Sequence, residues 1–154
     1  MNEYQKRRFV TTMIATMFNT VAGKRIAVFG FAFKADTGDT RESPAIDVVK
    51  MLIAEHAHVA VTDPEALENA KTDLAAVLSS VELNDDPYKA AAGAHAIALC
   101  TEWEQYRKLD YKKIYDSMEK PAFIFDGRNI LDHEKLFGMG FNVYPTGKPG
   151  LKHF

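Results

Sequence analysis

The chain reads as an α/β protein: a doubly wound parallel sheet of five or six strands, preceded by one helix. Three observations point there. Five short apolar runs, at residues 25–30, 58–62, 96–100, 122–125 and 141–144, have strand length and the unbroken apolar character of strands buried on both faces. Segments of helical period separate them, and several open on a capping residue. Strands that alternate with helices in this way pair in parallel, through crossover helices.

The first element is a helix over residues 3–21. Phe9, Met13, Met17 and Val21 recur every fourth residue, with Ile14 and Phe18 beside them, which makes one wide apolar stripe. Gly23 is expected to end this helix. The first strand follows at once. Next comes a long polar loop, and then a helix over 43–55 with Ser43 as N-cap and Pro44 in its first turn. Further helices are expected at 66–79, 87–92, 111–118 and 133–139, with Asp86 and Asp132 as N-caps. Residues 82–86 read equally as a weak strand or a polar connection. From Thr146 onward, Gly147, Pro149 and Gly150 indicate a flexible tail.

The loop after the first strand carries the densest chemistry. Residues 29–43 hold two glycines, two threonines, Lys34 and Arg41, and they lead into a helix N-terminus. Free backbone donors, hydroxyls and cations in that position suit a phosphate. Arg41 could equally pair with Asp36, Asp39 or Glu42. A second candidate loop follows the fourth apolar run, with Arg128 after Asp126-Gly127. Ligands of such sheets bind beyond the carboxyl ends of the strands. With strand order 3-2-1-4-5, counted over the five runs, the two loops become neighbours.

Other residues carry less. Asp63 stands where dinucleotide folds often place a ribose-binding acid. The first loop lacks G-x-G-x-x-G, however, which favours a turn or cap role before Pro64. Cys100 ends an apolar strand and reads as a small buried hydrophobe. Trp103 and Tyr106 read as lid or interface packing rather than base-stacking groups. His95 and His133 form no triad, and no residues have metal-ligand spacing. The 154 residues carry a net charge of −2, so no global field recruits nucleic acid or an anionic membrane. No apolar run approaches the roughly 18–20 residues that span a bilayer. The lone cysteine fits a reducing cytoplasm.

Four strings together resemble the C-terminal domain of the UDP-glucose 6-dehydrogenase family. They are Gly30-Phe31-Ala32-Phe33-Lys34 with Asp36 to Ser43, Cys100-Thr101-Glu102-Trp103, Phe123 to Arg128, and Asn2 to Phe9. The resemblance implies a Rossmann-like UDP-sugar-binding domain over residues 23–146. Residues 1–22 would then be the end of a central interdomain helix, and 147–154 the tail. Such a chain is a piece of a longer enzyme that oxidises UDP-glucose to UDP-glucuronate with two NAD. That enzyme's catalytic cysteine belongs to a motif absent from this sequence, so this chain carries no catalytic set and is expected to be inactive alone. By the same resemblance Phe33, Lys34 and Arg128 contact the UDP-sugar, and Arg41 contacts NAD, which is bound mainly by the missing domain. The partners implied are the rest of the enzyme and further copies of it. A GDP-mannose or UDP-amino-sugar dehydrogenase has the same layout, and a stand-alone nucleotide-binding module is the reading from another class. Two positions depart from the family pattern: Ala35, where many relatives carry a second lysine, and Pro44, in place of a small polar residue.

Overall fold

Residue pattern becomes sheet in the computed structural model, which describes Met1–Phe154. Six strands pair in parallel in the order β3-β2-β1-β4-β5-β6. They are β1 Arg25–Phe29, β2 His58–Thr62, β3 Val81–Leu83, β4 Ala96–Leu99, β5 Phe123–Asp126 and β6 Asn142–Pro145. The inner strands β4 and β5 are buried along their whole length, as a sheet covered on both faces requires. The undecided stretch near residue 82 supplies β3, a short, partly exposed edge strand beside β2. Three residues long and followed by Asn84, Asp85 and Asp86, it escapes an apolar-run count. One consequence corrects the expected order: the strand next to β1 is β4, and β5 lies one place further out.

The helices are α1 Glu3–Thr16, α2 Pro44–Ala54, α3 Leu67–Asp73, α4 Pro87–Ala91, α5 Tyr111–Ser117 and α6 His133–Met139. Ser43, Asp86 and Asp132 cap α2, α4 and α6, their side chains accepting from Ala45, Tyr88 and Lys135 N–H. The expected helix over 66–79 divides into α3 and a 3-10 segment, Ala75–Ser80. Helices α1 and α2 pack together over one face of the sheet, and α4, α5 and α6 form a row on the other.

Helix α1 is shorter than expected, with 14 residues. It opens on its own capping box: Asn2 accepts from Gln5 N–H, and the Gln5 side chain accepts from Asn2 N–H. It ends at Thr16, well before Gly23, as Phe18 and Asn19 turn into the left-handed region. Lys24 Nζ donates to the Met17 and Thr20 carbonyls at 2.7 and 2.8 Å, supplying donors that the helix end lacks. Finally, part of the apolar stripe is covered within the chain, with Phe9 and Ile14 half-buried and Phe18 57% exposed. Val10, Met13, Met17 and Val21 are all buried in the main core.

The covering surface is the β5–β6 half of the sheet, which α2 does not reach. Phe123 stacks on Phe125, and Phe125 on Tyr144, along one face. Phe9 of α1 lies close to Gly127 at the end of β5, and Phe18 meets Phe123 edge-on. Lys6 also bonds Asp47 at 2.6 Å, tying α1 to α2. The tail folds back: Leu151 bridges Val143, His153 N–H donates to Asn142, and Phe154 packs on Phe18 and Phe123.

Candidate functional site

The loop after β1 is fastened before it offers anything to a ligand. Gly30 has φ +95°, and a Cβ there would lie 2.4 Å from the Thr101 side chain, so only glycine allows this close approach. Asp63 Oδ2 accepts from Phe31 and Ala32 N–H at 2.7 and 2.9 Å. Thr101 Oγ1 donates to the Ala32 carbonyl, and Ser43 Oγ to that of Phe31, both at 2.8 Å. Phe31 and Ala32 are buried. Further along, Phe33 N–H donates to the Asp39 carbonyl and Ala35 N–H to Glu102 Oε1. Thr40 Oγ1 donates to Asp73 at 2.5 Å.

This network occupies part of the loop's backbone. The amides of Phe31, Ala32, Phe33, Ala35, Asp39 and Arg41 all find acceptors within the chain. The amides of Lys34, Asp36, Thr37, Gly38, Thr40 and Glu42 donate to nothing within the chain, and the loop also presents side chains outward. Lys34 is exposed and has no acidic partner, and Phe33 is 45% exposed. Phe33 faces a cleft of about 490 Å³ between the starts of α1 and α2, beside Lys6, Pro44 and Asp47. Arg41 takes the structural alternative: its Nε and Nη2 donate to Asp39, with the nearer contact at 2.7 Å. Those hydrogen bonds hold the Asp39 carboxyl down at about 2. Arg41 itself is almost fully open to solvent.

The loop after β5 turns on Asp126, which is fully buried. Its oxygens accept from Arg128 and Leu131 N–H and bond His133 Nε2 at 2.8 Å. Asn129 exchanges two hydrogen bonds with Thr146, joining this loop to the one after β6. Arg128 therefore leaves a rigid turn. Its side chain lines a cavity of about 620 Å³ between α1 and the ends of β5 and β6, with Arg8 and Lys148, and no carboxylate lines that cavity.

Lys34 and Arg128 are brought to one edge of the sheet, but through a residue that sequence reasoning did not single out. Glu102, in the loop after the intervening β4, accepts from Ala35 N–H at 2.9 Å and pairs with Arg128. Its signal was present in Cys100-Thr101-Glu102-Trp103, an acid just past a strand end. Arg8, inside the Asn2 to Phe9 string, and Lys148, in the expected tail, were also missed, because both read as solvated surface cations.

The remaining candidates are structural. Asp63 Oδ1 caps the turn at Glu65 and Ala66, and Oδ2 also accepts from Trp103 Nε1. Trp103 is buried, and Tyr106 packs on Phe29 at 5.3 Å. Burial pushes the Cys100 thiol up to about 12, far from a nucleophile's range. No group of three His, Cys, Asp or Glu side chains is placed to hold a metal ion. A dinucleotide does not fit this domain in the usual manner. Gly30 is closed by Thr101, and the ribose-position acid Asp63 is used up on backbone amides and Trp103.

Comparison with known proteins agrees with this geometry. The family described as UDP-glucose/GDP-mannose dehydrogenase family, UDP binding domain, matches residues 27–133. UDP-glucose 6-dehydrogenase 2 of Oryza sativa subsp. japonica is 48% identical over 99% of this chain, which covers 35% of that protein. UDP-glucose 6-dehydrogenase 1 of Arabidopsis thaliana is 46% identical over 96% of the chain, again covering 35% of the relative. Among solved structures, a UDP-glucose dehydrogenase from Pyrobaculum islandicum superposes with a TM-score of 0.70 at 28% identity, over 91% of this chain and 30% of that one. The chain thus spans about a third of the length of the curated relatives it matches. With its fold, its fastened first loop and its Arg128 turn, it belongs to the UDP-glucose/GDP-mannose dehydrogenase family, as that family's UDP-binding domain.

Proposed function

We propose that this chain is the substrate-gripping domain of an NAD-dependent UDP-glucose 6-dehydrogenase, the enzyme that oxidises UDP-glucose to UDP-glucuronate. Phe33, Lys34 and Arg128 hold the UDP-sugar, and Arg41 meets NAD from the rim of the cleft. The observation that carries this reading is the placement of Lys34 and Arg128, each on a backbone-fastened loop, at the carboxyl edge of the sheet. Grip on the UDP group, remote from the reacting carbon, is how such an enzyme aligns C6. NAD supplies the hydride acceptor and is held by a domain beyond this chain. The enzyme works in the cytoplasm with further copies of itself, a setting compatible with the one free, buried thiol.

Calorimetry on this chain tests the reading. UDP and UDP-glucose should bind with modest affinity, since the rest of the site is missing and the exposed Lys34 must order on binding; glucose alone should not bind. Binding of GDP as tight as UDP would replace the assignment with a different nucleotide-sugar dehydrogenase. The chain should not reduce NAD in the presence of UDP-glucose. Turnover that disappears in Cys100→Ser would overturn the reading.

A further inference from the structure

Glu102 has an unusual position for a carboxylate. It leaves β4 after Cys100 and Thr101, both buried, and Thr101 is itself locked by its bond to the Ala32 carbonyl. Its two oxygens then go to two different loops. Oε1 accepts from Ala35 N–H, immediately after Lys34, at 2.9 Å, and Oε2 pairs with Arg128 Nη2. The Glu102 side chain is only 27% exposed, and that of Arg128 35%. The guanidinium carries five N–H donors in a rigid fork. Its side chain makes no other hydrogen bond in the structure, so the remaining donors are left for the cavity it lines beside Arg8 and Lys148.

We propose that Glu102 is a positioning residue of the nucleotide-sugar site: it holds Arg128 and the backbone behind Lys34 in one frame, and so makes the site select a nucleotide-sugar over a simple anion. This rests on the assignment of Lys34 and Arg128 to the UDP-sugar. The physical trade is direct. A free arginine must lose its rotamer freedom when it binds, whereas a tethered one has already lost it. The same carboxylate cancels part of the local positive charge, which weakens attraction for any anion that does not use the frame. Orientation is gained, and indiscriminate attraction is given up.

The test is calorimetry on this chain with two probes, UDP-glucose and inorganic pyrophosphate. Glu102→Gln cannot accept from Arg128 through its amide nitrogen. It should bind UDP-glucose about tenfold more weakly, the scale of one charge-assisted hydrogen bond, while pyrophosphate binds as well as before or better. Glu102→Asp keeps the charge but, one methylene shorter, cannot reach both loops. It should also lose UDP-glucose affinity, without the gain for pyrophosphate. In an Arg128→Ala background, Glu102→Gln should add little further loss. Wild-type UDP-glucose affinity in Glu102→Gln, with Arg128→Ala impaired, overturns the proposal. So does an equal loss of both probes together with a lower melting temperature, which marks a purely structural residue. Wild-type affinity in Arg128→Ala instead overturns the site assignment on which the proposal rests.

Discussion

Asp39 stays ionised far into acid because Arg41 donates to it from both side chain and backbone, holding its carboxyl at about 2 against an ordinary 3.8. A depressed carboxyl stabilises the fold above its unfolded pKa and loses that contribution as the pH falls through the folded one. The window here is about pH 4 down to 2, and the effect is small, since both partners are solvated. Arg41→Ala should therefore return the Asp39 titration toward its ordinary value, read by NMR, and leave the melting temperature at pH 7 nearly unchanged. In the full-length enzyme it should raise the NAD requirement. A lowered melting temperature with NAD use intact would make Arg41 a structural partner only. Cys100 runs the opposite way, its thiol pushed up to about 12 by burial. A thiol reagent at pH 8 should leave native protein unlabelled and label it fully in denaturant; rapid native labelling would contradict the burial. Cys100 was legible because it ends an apolar run. Arg41's partner was legible only as one of three acids, since spacing does not say which carboxylate a long side chain will reach.

Helix α1 shows how a periodic stripe can be read correctly while its neighbour stays unread. Four-residue spacing establishes that one face must be covered, but not what covers it. Here part of the cover is the aromatic face of β5 and β6, which Phe18 meets at Phe123. Met13 is fully buried, and Met13→Ala should cost about 2–5 kcal/mol in urea unfolding. Asn2→Ala removes half of the capping box and should cost about 1 kcal/mol. A cost near zero for Met13→Ala would mean that α1 is not docked in solution. The early stop at Thr16 was not readable in advance. It depends on Lys24 returning to the Met17 and Thr20 carbonyls, a tertiary contact without a local sequence signal.

For the molecule as a whole, α1 closes the half of the sheet that the crossover helices leave bare. A chain starting at residue 23 should consequently bind a hydrophobic dye and aggregate; an unchanged, dye-negative monomer would show that α1 is dispensable. The doubly wound class was legible from the alternation of apolar runs and capped helices, because burial on both faces leaves an unbroken signal. Strand neighbours were not, because β3, only three residues long, escapes an apolar count and every later strand shifts by one place. That shift has a metrical consequence. Adjacent strands stand about 4.8 Å apart, so β1 and β5, separated by β4, have axes about 10 Å apart. The sheet is a ruler for whatever spans their two loops. Its graduation is set by backbone hydrogen bonds and not by side-chain charge, so salt and pH leave the gap unchanged. A lone phosphate is too short to touch both marks, whereas a diphosphate flanked by a sugar and a nucleoside has the length to do so.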